Sequence, residues 1–174
     1  MKMIEELGMA YKTEIKGYAF YTAASTIVSQ ERGKNVFFHL AKEELDHIRA
    51  ISRIAESLKS GEGWIGYEEA VRNATSRGEG LPIFQEENEL IKRLNHDPSD
   101  TNALNIALEN EEAAVAFYSR LLGEATGPEQ KVFLTSLLEM EKGHLKILRW
   151  ERESLLKNGF WGDTIEFSVE KETD

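Results

Sequence analysis

Six residues with metal-ligand chemistry recur in a single register. Glu14, Glu44 and His47 reappear as Glu111, Glu141 and His144, each displaced by 97 residues. Phe20-Tyr21 and Phe117-Tyr118 keep the same shift, as do Leu7/Leu104, Ala10/Ala107, Leu40/Leu137 and Trp64/Trp161. A Glu followed by Glu-x-x-His, present twice, is the residue set of a carboxylate-bridged two-metal site inside a four-helix bundle. In Glu-x-x-His the two side chains lie about one helical turn apart and point the same way, so one ion can take both. The single Glu on the partner helix of each hairpin then bridges or caps. Hard oxygen ligands with two imidazoles suit iron or manganese, with zinc or cobalt as substitutes.

Helical spacing puts these groups on inward stripes. Glu14 shares a face with Ala10, Gly17, Tyr18 and Tyr21, and Glu111 with Ala107, Leu108, Ala114 and Tyr118. His47 sits with Leu40, Glu44, Ile51 and Ile54, and His144 with Leu137, Glu141, Ile147 and Leu148. An unpaired buried carboxylate costs several kcal/mol or takes up a proton. Four of them in one core can all ionise only beside cations, and two divalent ions balance the four charges. Tyr21 and Tyr118, two turns beyond Glu14 and Glu111, are placed to hydrogen-bond a ligating carboxylate. A duplication that merely kept its core would preserve Leu, Ala and Phe; it has no packing reason to keep inward Glu and His.

Other acids and histidines fall outside the common register. Glu43 becomes Met140 in the second copy, while Glu109 and Glu112 correspond to Lys12 and Ile15 in the first. These three are read as solvated. His39 corresponds to Ser136, and His96 lies beside Asp97-Pro98; both are read as structural or exposed. Phe20 and Phe117 are read as core, and Trp64 and Trp161 as caps on the bundle ends.

The elements that must position the six residues follow from apolar period and punctuation. Four long helices are predicted: from about Met3 to Ser29, Asn35 to Lys59, after Asp97-Pro98-Ser99-Asp100 to about Glu124, and from Pro128 to about Lys157. The Gln30–Lys34 turn, with Gly33, separates the first pair, and Gly127-Pro128 the second. Residues 61–99 are too long for a neighbouring-helix turn and suit a crossover along the bundle, with helical patterns at Tyr67–Ala74 and Ile83–Leu94. The expected organisation is a four-helix bundle over residues 1–160 and a tail over 161–174, where Ile165, Phe167 and Val169 alternate as in an extended segment. The 174 residues suffice for one buried core.

Composition narrows the function. The chain has no cysteine, which removes disulfides, thiolate zinc sites, iron–sulfur clusters and thiol nucleophiles. The net charge of −10 and the scattered Lys and Arg argue against nucleic-acid binding. No stretch is apolar for the length of a bilayer crossing, and the start lacks a signal-peptide apolar region, so a soluble cytoplasmic protein is the expectation.

The segments Glu14-x6-Tyr21 … Glu44-x-x-His47 and Glu111-x6-Tyr118 … Glu141-x-x-His144 resemble the rubrerythrin-like branch of the ferritin-like superfamily. The resemblance covers about residues 1–158. It implies an all-α, ferritin-like four-helix bundle made of two repeated hairpins with a long crossover. It also implies two iron ions in a non-haem centre that reduces hydrogen peroxide or dioxygen. Carried over, Glu44/His47 and Glu141/His144 are terminal ligands, with Glu14 and Glu111 completing or bridging the pair. Rubrerythrins proper usually carry a rubredoxin module with cysteine-bound iron. This chain has none, so electrons are expected in trans from a donor such as a rubredoxin-like protein. They also place an extra Glu one turn after the third-helix ligand, where this chain has Ala114. The alternatives are an iron-handling ferroxidase and a non-catalytic metal-binding bundle. A small oligomer, a homodimer, is expected.

Overall fold

A computed structural model describes residues 2–74 and 88–162. Six helices carry the described chain: α1 (Lys2–Ile27), α2 (Glu31–Ser60), α3 (Tyr67–Asn73), α4 (Glu89–His96), α5 (Asp100–Glu124) and α6 (Pro128–Asn158). There is no strand among the described residues. The chain is an all-α bundle of two hairpins, α1 along α2 and α5 along α6.

Helix boundaries follow local chemistry. Ser99 accepts a hydrogen bond from the Asn102 backbone N–H and starts α5, while Pro128 opens α6 where its missing N–H costs nothing. Gly61 and Gly159 end α2 and α6 in the left-handed region, at φ 82° and 76°, which only glycine adopts without strain.

Two apolar layers stack along the bundle axis. The first gathers Phe20, Tyr21, Val36, Phe37, Leu40, Leu94, Leu104, Ala107, Leu148 and Trp161. The second gathers Leu7, Ala10, Ile51, Ile54, Ala70, Tyr118, Leu121, Phe133, Leu134 and Leu137. Reading each helix through the layers gives its direction: α1 and α6 run from second to first, α2 and α5 from first to second. The segment after α2 must therefore travel the bundle length to reach α5. It leaves α3 against the second layer and α4 against the first. Trp161 and Trp64 sit at opposite ends, Trp161 buried in the first layer and Trp64 half-buried with its ring 5.6 Å from that of Phe133.

Four sequence expectations shift. The first turn is shorter than predicted, since α2 already begins at Glu31 and contains Gly33. Gly33 is no helix breaker: a Cβ there would lie 2.4 Å from the Trp161 indole, so glycine makes room for the ring. Trp161 and Gly162 belong to the packed end of the bundle. Asp100 accepts from the Trp161 indole N–H and the Ser29 backbone N–H, each at 2.7 Å, and Glu151 accepts from Gly162 N–H at 2.8 Å. The crossover helix read at Ile83–Leu94 is α4 from Glu89; residues 83–87, like the tail from 163, lie outside the described residues. Phe117, read as core, is only partly buried, with the Arg120 guanidinium 5.2 Å above its ring.

Substituting Gly33→Ala should therefore drive the Trp161 ring from its seat and destabilise the fold by about 1–3 kcal/mol. Urea unfolding followed by tryptophan fluorescence measures it; an unchanged midpoint would refute the packing role given to Gly33.

Candidate metal centre

Between the two apolar layers lies a polar one. Glu14 on α1, Glu44 and His47 on α2, Glu111 on α5, and Glu141 and His144 on α6 are all buried there, none more than 3 % exposed. The structure brings together all six residues singled out from the repeat. They form two overlapping groups, Glu14/Glu44/His47/Glu141 and Glu44/Glu111/Glu141/His144, in each of which one donor atom per residue lies within 4.8 Å of the others.

Glu44 and Glu141 belong to both groups. Glu141 turns Oε1 toward His47 Nδ1 (3.1 Å) and Oε2 toward His144 Nδ1 (3.2 Å). Glu44 does likewise, Oε2 toward His47 (3.6 Å) and Oε1 toward His144 (3.9 Å). Glu14 Oε2 lies 3.4 Å from His47 Nδ1, and Glu111 Oε2 3.5 Å from His144 Nδ1. The geometry thus gives the shared role to the carboxylates of Glu-x-x-His and an outer role to Glu14 and Glu111. The resemblance gives Glu44 and Glu141 as terminal ligands and Glu14 and Glu111 as completing or bridging ones; the distances set Glu44 and Glu141 near both imidazoles. The reason is topological: α2 and α6 put Glu44 and Glu141 between the imidazoles, whereas Glu14 and Glu111 each meet one side.

The tyrosines reach across the hairpins. The Tyr21 hydroxyl donates to Glu111 Oε1, and the Tyr118 hydroxyl to Glu14 Oε1. Each therefore holds the outer carboxylate of the other hairpin and leaves its second oxygen aimed inward. Gly17, one turn after Glu14, lies against Glu44, whose carboxyl carbon would stand 3.4 Å from a Cβ there, in ordinary contact.

Several inward atoms have no hydrogen-bond partner among the described residues: Glu44 Oε2, both Glu141 oxygens, Glu111 Oε2, His144 Nδ1 and both His47 nitrogens. Buried polar atoms are normally paired, and orphans of this kind require explanation. Carboxylate oxygens and imidazole lone pairs converging on two points are what a pair of hard or borderline cations requires. The residues fit such a pair.

Protons balance the metal-free site. Burial, reinforced by Glu14 and Glu141, pushes the Glu44 carboxyl well above its usual range. Burial and Glu141 raise Glu111 to about 8. Burial opposes charge on the imidazoles, yet Glu141 at His47 and Glu111 at His144 outweigh it and hold both rings well above their usual range. Burial also works against Glu141, but the imidazoles on either side keep it well below the ordinary carboxylate range.

Two contributors escaped the sequence reading. Glu43, read as solvated, is about half exposed, but its Oε2 accepts from His144 Nε2 at 2.7 Å. It falls outside the common register because its counterpart is Met140; its place next to Glu44 is the signal the sequence offers. Tyr67 of α3 packs edge-on against His47, with ring centroids 6.0 Å apart, and burial pushes its hydroxyl up to about 12. No repeat marks a crossover residue. Glu109 and Glu112 are indeed exposed, paired with Arg93 and Arg149, and His39 and His96 are exposed as well.

Fold and site together define a helical bundle with a buried Glu4His2 centre. The chain belongs to the rubrerythrin family, whose model matches residues 5–151. Comparison with curated proteins and with solved structures finds no match. No described helix is long and apolar enough to cross a membrane.

Two outcomes follow. Glu44, Glu111 and both histidines bind protons more tightly folded than unfolded, so their contribution is complete at low pH and is lost as pH rises through their folded values; Glu141 contributes oppositely, losing its share as pH falls below the ordinary carboxylate range. In chelator, the thermal midpoint should peak at mildly acidic pH and fall as pH rises through about 8, and added divalent metal should remove that fall. A midpoint flat across this range would contradict the proton-balanced core. Tyr21→Phe or Tyr118→Phe should weaken metal binding about 10-fold with helical content unchanged, as read by competition with a chromogenic chelator.

Proposed function

We propose that the protein is a non-haem di-iron oxidoreductase that reduces hydrogen peroxide or dioxygen with electrons from an external donor. The observation that supports this most is the pair Glu44 and Glu141, each offering one oxygen to the His47 side and one to the His144 side. When bound, an iron pair supplies two electrons at one place, which matches the conversion of one peroxide and two protons to two waters.

The chain's own groups prepare that place. Glu44 and Glu141 link the two positions, His47 and His144 close their flanks, and Tyr21 and Tyr118 fix the outer carboxylates. Apolar layers on either side exclude bulk water, which strengthens every charge interaction inside. These residues hold no thiolate-bound iron, having no cysteine; the reading has the oxidised centre re-reduced by a donor of rubredoxin-like chemistry.

One residue favours a second reading. Ala114, buried one turn after Glu111, stands where rubrerythrins place an extra Glu. A ferroxidase that handles iron would not need that carboxylate.

Metal-free protein loaded anaerobically with Fe(II) and mixed with peroxide or with air separates the readings. The oxidoreductase reading expects about two irons per chain, oxidised much faster by peroxide. Uptake far beyond two, with mineral growth in air, would support iron handling instead. Glu141→Ala and His144→Ala should lower peroxide turnover at least about 100-fold while circular dichroism stays helical. Full turnover in both variants would remove the proposed site from the reaction.

A further inference from the structure

The two halves of the site repeat in the contacts among their carboxylates, imidazole Nδ1 atoms and tyrosine hydroxyls, and differ behind the histidines. His144 Nε2 donates to Glu43 at 2.7 Å. The 97-residue shift carries Glu43 onto Met140, a half-buried thioether chain packed against the second apolar layer, and a thioether is only a weak acceptor. No carboxylate on the partner helix mirrors the contact. His47 Nε2 is buried with no hydrogen-bond partner among the described residues. Its nearest described rings are Tyr67, edge-on at 6.0 Å, and His144, stacked at 5.5 Å.

A carboxylate on one imidazole nitrogen fixes the tautomer and leaves the other nitrogen's lone pair free and more basic. His144 is thereby held with Nδ1 toward Glu44, Glu111 and Glu141. His47 has the equivalent carboxylates, Glu14, Glu44 and Glu141, in front of it, but among the described residues no carboxylate behind it. Such outer contacts change metal affinity by about 10–100-fold.

We infer that the two metal positions are inequivalent: the His144/Glu111 position binds tightly and fills first, the His47/Glu14 position is the exchangeable one, and Glu43 is the positioning residue that sets the order. This rests on reading the six residues as a two-metal site. Coupling between the sites would separate two binding steps even if both were alike, so the proposal concerns which histidine answers first.

The test is a Co(II) titration of the metal-free full-length protein with 15N-labelled histidine. Calorimetry gives the stepwise affinities, and paramagnetic NMR shows which ring is engaged. The first equivalent should shift the His144 signals, including its exchangeable Nε2–H, and the second those of His47. Glu43→Gln should weaken the first step about 10-fold and let both rings respond together. Met140→Glu, which restores the mirrored acid, should tighten the second step. His47 responding first, or an order unmoved by both substitutions, overturns the inference while leaving the two-metal site standing. Absence of Co(II) binding overturns the site itself.

Discussion

Four carboxylates sit in the middle of an apolar bundle, and the rest of the molecule is organised around their mutual repulsion. None is exposed enough for water to screen it. The cost of burying such charges is several kcal/mol each, far above what one packing contact returns. The metal-free protein meets the constraint with protons, holding Glu44 and Glu111 neutral and placing ionised Glu141 between two imidazoles. Two divalent cations would meet it with charge instead. Binding and proton release are therefore two sides of one equilibrium, and metal affinity rises with pH.

The architecture supplies the rigidity this arrangement needs. Apolar layers above and below the polar one pack the four helices together on either side of the site. The tyrosines then tie the hairpins together, Tyr21 of the first holding Glu111 of the second and Tyr118 the converse. Because α1 and α5 run in opposite directions, the duplication produces an approximate two-fold relation, and each half contributes residues to both groups of candidate ligands. At the first-layer end, Trp161, seated on Gly33 and bonded to Asp100, closes the bundle close to Tyr21 through Phe37.

Much of this was legible in the sequence because duplication writes the functional positions twice. Inward Glu14, Glu44, His47 and their counterparts stand out against a pattern that packing alone would have filled with Leu or Ala. What the register could not show is anything the repeat breaks. Glu43 falls outside the register because Met140 does not match it, although the mismatch marks a place where the two halves of the site differ. Gly33 was read as a breaker because glycine ends helices more often than it seats a tryptophan from the far end of the chain. That Glu44 lies near both imidazoles is not legible either, because spacing along one helix does not show which carboxylate faces the opposite hairpin.

The most direct test of the central claim is the magnetic and structural state of the iron-loaded protein. Two equivalents of Fe(II), oxidised in place, should give two high-spin ferric ions coupled antiferromagnetically, with an iron–iron vector near 3.5–4 Å or slightly shorter by X-ray absorption. Mössbauer and absorption spectra of one sample report both. Magnetically isolated irons with no iron–iron scattering would contradict a carboxylate-bridged pair, and the shared roles of Glu44 and Glu141 would have to be abandoned.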